Sequence, residues 1–251
     1  MAKATVCKRI GKGVLGLVLC WAAYESVAAV PGPFFPHTYE RGAFIVHSDE
    51  AIPASAAHVI DDAQRRIERS PLHGAHDKYD IYICNSLARF AFYNHKFTTR
   101  AGGVTEGAFT RHVFIRGVDF DTNSLRMPGG ARIVDAESRS ASYFLAHEAA
   151  HVMESRRFGR LAYVKYPHWL MEGYADVVGK NDAFHIADYR QPFASGTLAN
   201  DGTYKREHLL VDFQLGLGKT VMQVFAEALP QHTVEAQLAA ALTQNEIGAI
   251  K

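Results

Sequence analysis

The chain has 251 residues, 48% hydrophobic and 21% charged, a balance that supports a sizeable core and excludes collagen-like, coiled-coil and disordered classes. Its formal charge of +1 is unevenly spread, because the first thirty residues carry a net +3 from Lys3, Lys8, Arg9 and Lys12 against Glu25, which leaves the remainder near −2. Without a cluster of Lys and Arg to track phosphates, no nucleic-acid partner is expected.

The N-terminus reads as a Sec-type signal peptide spanning residues 1–29, which predicts a secreted or periplasmic protein. Basic Lys8, Arg9 and Lys12 precede an apolar run from Val14 to Ala23, and the small residues Ser26-Val27-Ala28-Ala29 suit a signal peptidase cutting after Ala29 or one residue earlier. That run is shorter than the ~20 residues needed to cross a bilayer, so no stable membrane insertion is expected after cleavage. Leu19 before Cys20 disfavours lipid attachment there. Of Cys7, Cys20 and Cys84 only Cys84 survives cleavage, so the mature chain makes no internal disulfide. Cys84 ends the apolar stretch Ile81-Tyr82-Ile83 and is expected to be a buried strand residue.

Pro31, Pro33 and Pro36 describe an extended lead-in, and Ala43 to His47 a short strand. Ala56, Val59, Ile60, Ala63 and Ile67 recur at spacings that line one helical face. Tyr79 to Cys84 predicts a second strand, Ser86 to Tyr93 a helix, and Val104 to Phe109 with His112 to Arg116 a hairpin after Gly102-Gly103.

From about Ala136 the pattern becomes helical. Ser140 to Arg157 is so apolar that little of it can face solvent, with Gly159 as its terminator. A second helix begins near Pro167 and stops at Gly179. Ala183 to Gly202 is polar and irregular, as a loop over a site would be. Tyr204 to Leu215, Thr220 to Leu229 and Val234 to Leu242 predict three further helices.

The chemistry lies in His147-Glu148-Ala149-Ala150-His151. Residues four apart share a helical face, so both imidazoles can point at one ion, and Glu148 stands beside it as a candidate base. Three protein ligands and one open position on zinc lower the pKa of a water to about 7. Two imidazoles and a carboxylate in so apolar a helix would be costly unless a metal or hydrogen bonds satisfied them.

A third ligand is required, and downstream stands His168-Trp169-Leu170-Met171-Glu172-Gly173-Tyr174-Ala175-Asp176. Together these two segments resemble the gluzincin branch of zinc metallopeptidases, which includes thermolysin-like enzymes and the plant basic secretory proteins. The resemblance implies that Glu172 is the third ligand of a Zn2+ ion and that Asp176 orients a ligand imidazole from behind. A metzincin would need Gly at the position of Glu154 and His at that of Arg157, and this sequence has neither.

Further out, the resemblance implies an oxyanion donor opposite the metal, with Tyr204 the first candidate and His208 the second, against the plain alternative that both are helix-surface residues. Gly103-Val104-Thr105-Glu106-Gly107 is read as a turn leading into a strand rather than an amine-binding motif. By family analogy, His112 to Arg116 is the edge strand beside which a peptide would lie. His168 is expected at a helix entry or the surface, Trp169 as a core anchor, and Glu154 as a salt-bridge partner rather than a ligand.

The expected architecture is thus an α+β, zincin-like fold: an N-terminal α+β subdomain over residues 30–135 with a small mixed sheet, and a helical metal-binding and C-terminal subdomain over residues 136–251. The expected activity is zinc-dependent hydrolysis of a peptide or protein substrate, with Glu148 as general base. A zinc hydrolase of a non-peptide bond and a catalytically silent zincin-fold binding protein are the alternatives.

Overall fold

The computed structural model describes residues 2–94, 101–127, 133, 135–136, 138–180, 185, 187–199 and 201–243, with side chains from Val14 onward. Helix α1 (Ala2–Ala29) covers the expected leader. Its Tyr24 hydroxyl donates to the Phe92 carbonyl at 2.7 Å, and Ala28 is buried. Among the described residues, no helix is long and apolar enough to cross a membrane.

Strands β1 (His37–Arg41) and β2 (Phe44–Ser48) form an antiparallel hairpin in which Arg41 pairs with Phe44. Gly42, at φ +57°, supplies the left-handed turn residue. The sequence reading placed an extended lead-in where β1 lies. Most of β1 is exposed, with no apolar alternation to betray it, and it is held by main-chain pairing with β2.

Helix α2 (Ala56–Glu68) buries Ala56, Val59, Ile60, Ala63 and Ile67, the expected face. It crosses from β2 to the parallel strand β3 (Tyr79–Cys84), and α3 (Leu87–Tyr93) then lies between β3 and β5 in sequence. Strands β4 (Gly103–Thr105) and β5 (Val113–Arg116) pair antiparallel with Val104 opposite Phe114. The sheet order is β1-β2-β3-β5-β4, with β3 and β5 parallel.

This order corrects the expected substrate edge. The segment His112 to Arg116 lies inside the sheet between β3 and β4, and among the described residues β4 is the edge strand on that side. The first hairpin strand is also shorter than expected, ending at Thr105. There the Glu106 carboxylate accepts hydrogen bonds from the amides of Ala108, Phe109 and Thr110 and turns the chain out of the sheet.

Val46, Ile81, Ile83, Val113 and Ile115 face one side of the sheet, against the helices, while Tyr82, Cys84 and Phe114 face the other, against Phe35, Phe90 and Tyr93. Cys84 is buried in that second layer, as expected. A small hairpin, β6 (Val118–Asp119) with β7 (Ser124–Leu125), follows. Its Asn123 accepts the Ser142 amide on its side chain and the Ala141 amide on its carbonyl, fixing the start of the next helix.

That helix, α4 (Ala141–Phe158), is capped by Ser140, whose hydroxyl accepts the Tyr143 amide, and ends at Gly159 with φ +100°. Every residue from Ala141 to Ser155 is buried. Such a helix is apolar all round because neighbours cover it all round. One of them is α2, and another is α6 (His168–Lys180), which follows the short α5 (Ala162–Lys165). Trp169 anchors α6, 3% exposed, with Nε1 donating to the Leu229 carbonyl.

Where an irregular loop was expected from Ala183 to Gly202, helix α7 (Ala187–Ala194) occupies its centre, while Ala183 itself lies outside the described residues. Helices α8 (Lys205–Gly216), α9 (Val221–Glu227) and α10 (Gln231–Thr243) complete the chain. Gly173 lets α8 approach α6 closely, since a Cβ there would lie 2.5 Å from the Glu207 carbonyl oxygen. The fold is α+β, with one main core running from Ala43 to Leu238.

Candidate metal centre

One helical turn on α4 separates His147 from His151, and α6 brings Glu172 across to both. The Glu172 Oε2 atom lies 3.4 Å from His147 Nε2 and 3.7 Å from His151 Nε2. Ligand atoms of all three residues fall within 4.8 Å of one another. These separations are too long for good hydrogen bonds, which run about 2.7–3.2 Å. Tetrahedral zinc with bonds of about 2.0–2.1 Å would hold its ligand atoms ~3.3–3.4 Å apart. The three side chains are 4%, 9% and 5% exposed, so the site is walled by protein on most sides.

Electrostatics point the same way. Burial opposes the charge on His151, yet the Glu154 and Glu172 carboxylates outweigh it and hold the imidazole pKa well above its ordinary value. Burial likewise opposes ionisation of Glu172, and His151 and His147 overcome it, keeping the carboxyl well below the usual range. A point where two imidazoles and a carboxylate compete for positive charge is a point where a divalent cation fits.

Glu154 is fully buried and bonds His151 Nδ1 at 2.7 Å through Oε2. This leaves Nε2 to face Glu172. Burial pushes the Glu154 carboxyl up to about 7 despite the imidazole beside it. As expected, Glu154 is a partner of His151 rather than a member of the ligand cluster, and it gives that ring its orientation.

Asp176 acts less directly than the sequence implied. Its Oδ1 accepts the Tyr143 hydroxyl at 2.6 Å, and the same hydroxyl lies 3.3 Å from His147 Nδ1. Its Oδ2 meets His208 Nδ1 at 2.9 Å and the buried Lys180 Nζ at 3.0 Å, and Lys180 also donates to the Thr203 carbonyl. The aspartate therefore reaches His147 through a tyrosine.

Glu148 lies beside the cluster on α4. The Thr105 hydroxyl, on edge strand β4, is 2.7 Å from Glu148 Oε2 and 3.0 Å from the Glu148 carbonyl. Strand β4 comes so close that a Cβ on Gly103 would lie 2.7 Å from Glu148 Cγ and 2.8 Å from Oε1.

Tyr204 and His208 are not surface residues. Tyr204 precedes α8 in a left-handed conformation, φ +56°, and stacks on the His147 ring with centroids 5.6 Å apart and planes 14° from parallel. Burial, with the Glu172 and Glu148 charges, raises its hydroxyl pKa, so it remains a donor. His208 is 5% exposed and points to Asp176. His168 enters α6 with an exposed side chain, as expected, although its Nε2 comes within 3.7 Å of Glu172 Oε1.

Above the cluster is a cavity of about 970 Å³, lined by β4 on one side and by α4, α5 and Tyr204 on the other. Tyr163 of α5 reaches down into it, its hydroxyl donating to Glu172 Oε1 at 2.5 Å.

Sequence reasoning missed Tyr143, Thr105, Tyr163 and Lys180. Tyr143 precedes His147 by one helical turn and Lys180 follows Asp176 by one, so spacing was an available signal for both. Thr105 and Tyr163 arrive from an edge strand and a connecting turn, and no local pattern marks them. The chain matches no protein-family model and no curated protein.

Proposed function

We propose that this chain is a zinc-dependent peptidase of zincin-like, gluzincin type, exported by residues 1–29. The observation that carries the proposal is the convergence of His147, His151 and Glu172 at metal-ligand spacing beneath a cavity that Glu148 also lines. Zinc held by these three side chains supplies a Lewis acid and a water of lowered pKa.

The remaining chemistry belongs to the chain. Glu148 takes the proton of the attacking water. Thr105 engages Oε2, and Oε1, which has no hydrogen-bond partner among the described residues, is the acceptor. As the scissile carbonyl becomes tetrahedral, the Tyr204 hydroxyl donates to the developing oxyanion. Glu148 then passes its proton to the leaving amine. The open edge of β4 beside Glu148 offers main-chain donors and acceptors to an extended peptide. Asp176, Tyr143 and Glu154 hold the two imidazoles in direction.

The test is metal analysis of the purified protein and of Glu148→Gln, each assayed against a peptide library. Stoichiometric zinc in both, with cleavage by the parent alone, is expected. Zinc in neither would refute the metal centre. Zinc with ester or glycan hydrolysis but no peptide cleavage would refute the choice of substrate.

A further inference from the structure

The cavity extends past the metal-ligand cluster to two arginines, Arg116 and Arg139. Arg116 ends β5 and is 1% exposed. Its Nη1 contacts Met127 Sδ at 3.2 Å, and its guanidinium carbon lies 5.8 Å from the Phe90 ring centre. Its Nε and Nη2 are buried and meet no hydrogen-bond partner among the described residues. Arg139 lies 5.0 Å over the Phe144 ring and 5.6 Å over that of Tyr143, with its own Nε buried and unpartnered. Tyr204 lines the same cavity.

A guanidinium presents five donors in a plane and stays charged at any physiological pH. Burying one without a counter-charge is costly unless an anion completes it. Among the described residues, Nε and Nη2 of Arg116 and Nε of Arg139 meet no carboxylate. Carboxylates line the same cavity, Glu25 of α1 among them.

The edge strand gives this charged end a direction. A Cβ on Gly102 would strike the Phe144 ring, Gly103 and Thr105 flank Glu148, and the Gly107 carbonyl accepts the Ser155 hydroxyl. Strand β4 thus runs beside α4 in the same sense. A peptide added antiparallel to β4, the pairing more stable per residue, directs its C-terminal side past Gly102. The backbone amide of Arg116 donates to the Gly102 carbonyl and Arg139 lies over Phe144, so both residues belong to the Gly102 end of β4, the Arg116 guanidinium by Phe90 on one face of the sheet and that of Arg139 on the α4 face.

We propose that Arg116 and Arg139 form a carboxylate-binding subsite that receives an anionic group on the C-terminal side of the scissile bond, either a free C-terminus or an acidic side chain. This proposal rests on the peptidase reading above and adds a substrate class to it. Arg139 contacts the anion from the half-buried side, and Arg116 supplies donors from below.

The test is made by binding, on the zinc-loaded full chain carrying Glu148→Gln, so that no probe is cut. Three short peptides of otherwise uncharged sequence are titrated: one with a free C-terminal carboxylate, its C-terminal amide, and the amide with one internal Glu. A carboxylate-bearing peptide is expected to bind at least ~10-fold more tightly than the plain amide, as charge-assisted hydrogen bonds to a buried guanidinium allow. Adding Arg139→Gln is expected to abolish most of that difference between the charged and the plain peptide. Arg116→Gln is expected to do the same, and where its circular dichroism shows a lost fold, Arg139→Gln decides.

Preference for the free C-terminus alone identifies that group as the anion, and preference for internal Glu identifies a side chain. Equal affinity for all three peptides, or a preference that survives Arg139→Gln, would overturn the subsite. A parent enzyme that cuts neutral and acidic peptides equally well would overturn the subsite and leave the peptidase reading standing. Absence of zinc or of any peptide cleavage would instead overturn the reading beneath it.

Discussion

Replacing Glu154 by leucine tests the carboxylate's part in both metal affinity and stability, because it holds the His151 ring in each. It is fully buried, holds His151 Nδ1 at 2.7 Å through one oxygen, and leaves Oε1 without a partner among the described residues. Without it the Nδ1–H donor is buried unsatisfied, a cost of about 1–3 kcal/mol. Loss of an outer partner of a ligand histidine lowers metal affinity by about 10–100-fold, or about 1.4–2.7 kcal/mol. The two routes agree in size. In the metal-free chain the same substitution strips the buried His151 imidazole of one of its two carboxylates, and removing one partner of a buried pair costs about 3–5 kcal/mol, so stability is expected to fall as well. Glu154→Gln keeps an acceptor and is expected to lose no more than about 10-fold in affinity. Competition with a chromogenic zinc chelator reads the first quantity and urea unfolding of the metal-free protein reads the second. A folded Glu154→Leu protein that binds zinc within about twofold of the parent would refute the orienting role.

Gly103→Ala drives a methyl group to within 2.7 Å of Glu148 Cγ and Ile115 Cδ1. Displacing the base in this way is expected to lower kcat by about 10²-fold with zinc stoichiometry unchanged; parental kcat would show that β4 does not set its position. Asp62 offers a pH test away from the metal. Burial opposes its ionisation, but the Ser142 hydroxyl at 2.6 Å, then Arg66 and Arg65, outweigh it and hold the carboxyl below its ordinary 3.8. A depressed carboxyl stabilises the fold above its unfolded pKa of about 4, and that contribution is lost as pH falls through the folded value. Asp62→Asn is therefore expected to lower Tm near neutral pH by about 2–4 °C per kcal/mol lost. It should also flatten the acid limb of the stability curve, and an unchanged acid limb would contradict the assignment.

The sequence by itself determined those parts of the site that lie one helical turn apart. His147, Glu148 and His151 follow from the periodicity of α4, and the burial of that whole helix was legible in its composition. The apolar face of α2 and the anchor Trp169 were legible for the same reason, since local spacing decides which side chains share a face. Glu172 needed more: its resemblance to a known motif named it, and the packing of α6 across α4 brought its carboxylate to 3.4 Å from His147.

Everything set by sheet order was decided only by the tertiary structure. Strand β1 pairs through its main chain and carries no apolar signal, and β5 rather than β4 had the strong apolar run. The more hydrophobic strand therefore went inside, and the short glycine-bearing strand took the edge beside Glu148. Thr105, Tyr163, Arg116 and Arg139 depend on that arrangement as well. Each reaches the cavity from a separate element, and a contact between segments far apart in sequence leaves no periodic trace in either of them.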